Sequence, residues 1–292
     1  MKIKCCFFIC CFLPFICLAQ LSTEEQSTYI AKIIERIQVP ETPEYSISVI
    51  DFGARPNTGR ESKRAFDKAI QDLKKKGGGT LNVPKGEYIV NGPLHLISNM
   101  NLHLEEGCML TFGTNPDDYP LVLTSWEGTM LYNYSPLIYG KDLQNVAITG
   151  SGTLNGSGDQ FWEGWKEKEG PAKQKSREMN HGSIPVEDRK FGENNFLRPQ
   201  LIQLVNSSTI LIEGIHIKNA PFWCLHLLKC KGATLRGLSY DSHNSNNDGI
   251  DLEYTSDVLI ENVTFDNSDD NIAIKAGRDH EGWLNKKHLQ RI

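Results

Sequence analysis

The sequence predicts an all-β chain wound as a parallel β-helix with short helices at its amino-terminal end, and three observations carry that prediction. From Gly79 onward the text is a series of short alternating strands cut by Gly, Asn and Asp, as in "GTLNVPKGEYIV", "NLHLEEGCML" and "NVAITGSGTLNG". Three later segments superimpose: "ILIEGIHIKN" from Ile210, "ATLRGLSYDS" from Ala233 and "VLIENVTFDN" from Val258. Aligning Ile212, Leu235 and Ile260 brings Ile215, Leu238 and Val263 together, then Ile217, Tyr240 and Phe265, at intervals of 23 and 25 residues. Such a repeat, built of short strands, fits coils stacked one on the next. Leucine-rich repeats share the length but not the leucine and asparagine spacing, and a β-sandwich explains strands without explaining their superposition.

The elements follow in chain order. "MKIKCCFFICCFLPFICLAQ" has Lys2 and Lys4, a short apolar run and a small residue at Ala19, the layout of a secretory leader cut after Ala19. The run is too short to span a membrane, and no later stretch is longer. The expected location is therefore secreted or periplasmic. Residues 20–44 form an amino-terminal helical segment. Within it a helix is expected over 22–37, with Ser22 and Glu25 as a capping box and Ile30, Ile33, Ile34 and Ile37 on one face. A second helix is expected over 61–75, with Ala65, Phe66, Ala69, Ile70 and Leu73 inward and Gly77–Gly79 at its end. The β-helix domain is set at 45–292. Residues 156–200, polar, charged and tryptophan-bearing, interrupt the strand pattern and are expected to form a loop insertion that shapes a groove. Trp162 and Trp165 lean towards a sugar-facing role there.

Composition narrows the function. Removing the leader takes away Lys2 and Lys4 and no acid, leaving 29 basic against 36 acidic side chains and a net charge of −7. A negative, exported chain is not steered by its overall field onto nucleic acid, and an anionic substrate would need local cations. Five of the eight cysteines lie in the leader; Cys108, Cys224 and Cys230 remain, with no metal-ligand spacing. Cys224 and Cys230 could pair or remain buried thiols.

The chemistry concentrates at 246–277, "NNDGIDLEYTSDVLIENVTFDNSDDNIAIKAG". Asp248 precedes Asp269 and Asp270 by 21 and 22 residues, about one coil. Residues one coil apart stack at one strand spacing, roughly 4.8 Å, so the three carboxylates should share one surface. Carboxylates crowded in this way cannot all ionise freely, which suits glycoside hydrolysis, where a protonated carboxyl serves the leaving oxygen and ionised ones activate water. The competing reading is of turn residues bonding nearby backbone. Lys275 lies on the face of Asn271 by alternation and could meet a substrate carboxylate. Arg278 is a weaker candidate for the same task.

"NNDGID" at 246–251 and "SDDNIAIKAGRD" at 268–279 resemble two signature segments of the polygalacturonases, glycoside hydrolase family 28. "VIDFGARPNTGRESKRAFDKAI", "GGGTLNVPKGEYIV" and "NAPFWCLHLLKC" resemble further stretches of such enzymes. The resemblance implies a right-handed, single-stranded, pectin-lyase-like β-helix that hydrolyses α-1,4-galacturonide linkages with inversion. Asp269 would be the general acid, with Asp248 and Asp270 holding and deprotonating water. Asn246 matches the family's first motif and would join Lys275 and Arg278 at the substrate. No metal or cofactor is implied. The expected partner is an acidic plant polysaccharide such as pectin or galacturonan, met by a monomer. Two family motifs, Gly-His-Gly and Arg-x-Lys, do not occur, and His243, His280 and His288 lack the flanking glycines. The expectation is a member truncated at "HLQRI". A lyase-like β-elimination or a sugar-binding β-helix without turnover are the alternatives.

Overall fold

The structure, a computed structural model, describes residues 22–284; the leader read at 1–19 and the final residues, His288 included, lie outside them. The strands stack into three parallel sheets of seven, five and six strands among the described residues, running from Ser46–Ser48 to Ile272–Lys275. Five successive coils each contribute one strand to each sheet in turn, which is the parallel β-helix expected from the repeats. The alignment holds residue by residue: Ile212 pairs with Leu235 and Leu235 with Ile260, and Ile217 pairs with Tyr240. The Tyr240 ring stacks on Phe265 at 4.9 Å. Inward positions such as Leu81, Leu102, Ile148, Ile212 and Leu235 form one column of core inside the coils. Asparagines turn several of the corners, with Asn99, Asn145, Asn206, Asn219, Asn246 and Asn262 all at positive φ, where a short polar side chain is tolerated.

The second helix, Lys63–Lys76, buries the five predicted residues and ends at Gly77 with φ +83°. Phe66 meets Tyr88 edge-on at 6.2 Å, which seats the helix on the first coils. The first helix, Thr23–Ile34, has the expected Ser22–Glu25 capping box, but its apolar face stays outside the core and none of its residues is buried. It is tethered to the Ser256–Glu261 strand by the Arg36–Asp257 ion pair at 2.5 Å.

The third sheet positions the site. Its strands Ile202–Val205, Leu225–Leu228 and Ile250–Glu253 are buried on both faces. An antiparallel hairpin, Leu121–Trp126 with Thr129–Tyr134, lies over the outer face, where Met130 packs with Tyr139, Val205, Leu228 and Tyr254. The 156–200 insertion departs from the loop expectation. It forms the helix Gly170–His181 and two 3-10 turns, Trp162–Trp165 and Val186–Asp188. Trp162 and Trp165 are 0% and 8% exposed and pack with Tyr119, Tyr134, Phe161 and Phe196, so their expected sugar-facing role is corrected to a structural one. Cys108, Cys224 and Cys230 are all buried free thiols, which settles the alternative left open for Cys224 and Cys230.

Candidate active site

The "NNDGID" segment leads from the Ser239–Asp241 strand into Ile250–Glu253, and its two asparagines do different work. Asn247 is fully buried and braces the turn from within. Its Oδ1 accepts from the Ser242 hydroxyl and the Asn244 N–H, and its Nδ2 donates to the Ala220 and Phe222 carbonyls. Asn246, at φ +57°, points its side chain to the insertion, where its Oδ1 accepts from Lys166 Nζ at 2.6 Å and Arg198 Nη2 at 3.4 Å. Glu163 accepts from both the N–H and the hydroxyl of Ser245. The insertion thus clamps the turn that presents Asp248.

Gly249 has a steric reason. A Cβ there would lie 2.6 Å from Phe265 Cε1 and 2.7 Å from the Asn271 carbonyl, because the next coil passes directly against it. That approach sets the register. Ile250 pairs with Ile272, and the Gly249 N–H donates to the Asp270 carbonyl at 2.8 Å, so Asp270 follows Asp248 by one coil of 22 residues. Asn267 Nδ2 donates to the carbonyls of Asn247, Asp269 and Asp270 and ties the two turns together.

Asp248, Asp269, Asp270, Asn246, Lys275 and Arg278 all line one cavity of about 510 Å³, with Trp223, Glu127 and Gly128. The six residues singled out in the sequence therefore converge. Asp248 is 4% exposed, while Asp269 and Asp270 stand open at the surface. Lys275 is held rather than free. Its Nζ donates to Asp248 Oδ2 at 2.7 Å, lies 2.7 Å from Asp251 Oδ1, and sits 3.9 Å from the centre of the Trp223 ring. Asp251 is fully buried and neither of its oxygens has an aligned hydrogen-bond donor. Burial pushes its carboxyl well above the usual range, with the neighbouring Lys275 ammonium opposing that rise. Burial also works against the charge on Lys275, but Asp251 and Asp248 outweigh it and hold the ammonium above its ordinary value.

At the rim, Glu127 sits among three cations: Lys173 at 2.6 Å, Arg177 at 2.9 Å and Arg278 at 3.9 Å. Arg278 also meets Asp279 at 3.6 Å, so two carboxylates face three cations on this side of the cavity, on a chain that is negative overall. Among the described residues there is no group of His, Cys, Asp and Glu arranged to hold a metal ion.

Sequence reasoning passed over Asp251, Glu127, Trp223, Lys166 and Arg198. For Asp251 a signal was present: in "IDLE" the apolar Ile250 and Leu252 point into the coil, and the outward positions Asp251 and Glu253 are acidic although the strand is buried on both faces. The cations of the insertion carry no such mark.

Residues 187–285 match the family model of glycosyl hydrolases family 28. A protein described as a probable polygalacturonase of Vitis vinifera is 27% identical over 249 residues, 82% of this chain and 46% of its own length. A polygalacturonase of Persea americana is 25% identical over 241 residues, again 82% of this chain and 46% of its own. The chain spans about half the length of these curated relatives. Among solved structures, a hyperthermoactive exopolygalacturonase from Thermotoga maritima is 39% identical with a TM-score of 0.86, covering 88% of this chain and 60% of that one. A Yersinia enterocolitica family 28 exopolygalacturonase, 23% identical with a TM-score of 0.67, shares the pectin-lyase-like β-helix fold over 83% of this chain and 47% of its own.

Proposed function

As this chain belongs to glycosyl hydrolases family 28, we propose that it hydrolyses α-1,4-galacturonide linkages of a pectic polysaccharide, with inversion. Asp269 is the general acid that protonates the leaving glycosidic oxygen, and Asp248 and Asp270 hold the attacking water and take its proton. The observation that carries this reading is the convergence of three carboxylates from adjacent coils on one cavity, with Asp248 buried at its floor and the pair open at its lip. Inversion requires acid and base on opposite faces of the scissile bond with room for a water between them, and a cavity of about 510 Å³ has that room.

The substrate class follows from charge. A polymer of uronic acids brings one carboxylate per residue, and Arg278, with Lys173 and Arg177 behind it, supplies three cations at the rim against the two carboxylates of Glu127 and Asp279. Asn246 stands at the cavity wall beside them, its carbonyl held by Lys166 and Arg198 so that its position is fixed before substrate arrives. The leader read at 1–19 supports export of the enzyme to where such a polymer is met.

The test is reducing-end release from polygalacturonate by the purified protein beside its Asp269→Asn variant. Release by the parent, with a loss of about 10²–10⁴-fold in the variant, is the expected result for a general acid. An ultraviolet-absorbing unsaturated product would point to elimination instead. Release that is equal in parent and variant would remove Asp269 from the mechanism.

A further inference from the structure

Lys275 is oriented by its strand. Glu253 pairs with Lys275 and Asp251 with Ala273 across the Ile250–Glu253 and Ile272–Lys275 strands, so the lysine rises from the outer face of the third sheet next to two acidic positions of the preceding coil. Its ammonium is enclosed on three sides: Asp248 and Asp251 at 2.7 Å each, and the face of Trp223 at 3.9 Å. Trp223 is itself fixed. His226 meets it edge-on at 5.1 Å, and His226 is held in turn by Gln203 at 2.9 Å and Glu253 at 3.1 Å, in a row that is buried throughout. An ammonium enclosed by two carboxyl groups and an aromatic face has little left to offer a sugar carboxylate, and among the described residues no other cation contacts Asp251.

We propose that Lys275 and Asp251 are positioning residues that act through Asp248: together they form a carboxyl–ammonium–carboxylate unit that fixes one Asp248 oxygen and keeps its carboxylate aimed into the cavity. The inference rests on the proposed hydrolysis only for its kinetic readout. Lys275 anchors Oδ2 of Asp248, Asp251 holds the ammonium from behind, and Trp223 supplies the floor. The assignment differs from the substrate-carboxylate contact that alternation along the strand suggests for Lys275. It leaves Arg278 and its neighbours as the cations available to the polymer.

The experiment compares Lys275→Met, Lys275→Arg and the parent. Positioning predicts that Lys275→Met lowers kcat about 100-fold or more while KM for polygalacturonate stays within about threefold, because the lost contact serves the reacting base and not the ground-state substrate. Lys275→Arg, which keeps a cation over Trp223, recovers most of that loss. A substrate-binding lysine predicts the reverse: KM rises about tenfold or more at near-parental kcat, and the defect shrinks on methyl-esterified pectin. That pattern would overturn the proposal.

A second readout needs no turnover. The carboxyl carbon of Asp251 is titrated by NMR in the folded parent and in folded Lys275→Met, with Lys275→Gln as substitute if the methionine variant does not fold. The titratable and charged groups that face Asp251 and Lys275 are His226, Glu253, Cys224 and Tyr240 from the neighbouring coils and Asp248, Asp269, Asp270, Glu127 and Arg278 around the cavity. Removing the ammonium takes away the cation in contact with Asp251 and moves the Asp251 titration to higher pH; an unmoved titration overturns the proposal. A parent that is inactive on polygalacturonate while the Asp251 titration shifts as expected would sink the hydrolase reading and leave the unit standing.

Discussion

Replacing Arg198 by methionine should cost this protein about 3–5 kcal/mol of stability. The guanidinium is completely buried, yet it reaches five acceptors. Nη1 donates to the carbonyls of Ser245 at 2.8 Å and Pro221 at 3.1 Å and to Glu163 at 3.3 Å; Nη2 donates to Glu169 and Asn246, both at 3.4 Å. The two carboxylate contacts are long, so the larger share comes from the charge-assisted bonds to the two carbonyls, about 1.5–3 kcal/mol each. Methionine fills the space above the Phe222 ring, over which the guanidinium lies at 5.4 Å, so the cavity cost is small and the loss is polar. Glu169, almost fully buried, would keep Lys166 at 2.9 Å as its one cation among the described residues. Urea unfolding of parent and variant, compared at equal m-value, measures the difference. Adding Glu169→Gln to Arg198→Met should recover part of the loss, since the stranded charge goes with it, and the double-mutant cycle isolates that share. A variant within about 0.5 kcal/mol of the parent would refute the reasoning, because a buried cation with five acceptors cannot then be what joins the insertion to the Asp248 turn.

Two further outcomes are expected. Trp162→Ala should destabilise by about 3–5 kcal/mol, as removal of a buried ring cluster member does, while KM for polygalacturonate in the folded protein stays unchanged; a raised KM at parental stability would return Trp162 to the sugar. Asp251→Asn should flatten the pH dependence of stability. The buried Asp251 carboxyl has a raised folded-state pKa, so the native state holds a proton that the unfolded chain releases near an ordinary value of about 3.9. Stability therefore falls as pH rises above that value towards the folded-state pKa, and an uncharged isostere removes this contribution. Urea midpoints taken across that range check the sign, and a variant with the parent's slope would contradict it.

The coil is legible in the amino-acid sequence. Because each strand of a parallel β-helix pairs with its counterpart one coil away, the pairing of Ile212, Leu235 and Ile260 is written as a repeat, and the same periodicity brings Asp248 beneath Asp270. Ser22 with Glu25 and the Gly77 stop were equally legible, since capping is local chemistry. The helix Gly170–His181 was not. It buries Ala172, Ser176 and Asn180, a stripe at a spacing of four made of small and polar side chains, and no apolar period betrays it.

The partners of Trp162, Arg198 and Lys275 emerge once the chain is folded. Asn246 receives Lys166 from 80 residues away and Asp248 receives Lys275 from 27, and neither separation equals the repeat intervals of 23 and 25 or their sum. A periodic backbone announces its own pairing, because the same hydrogen bonds recur at every coil. A long side chain crossing between an insertion and a coil has no period, and its partner is fixed by packing alone.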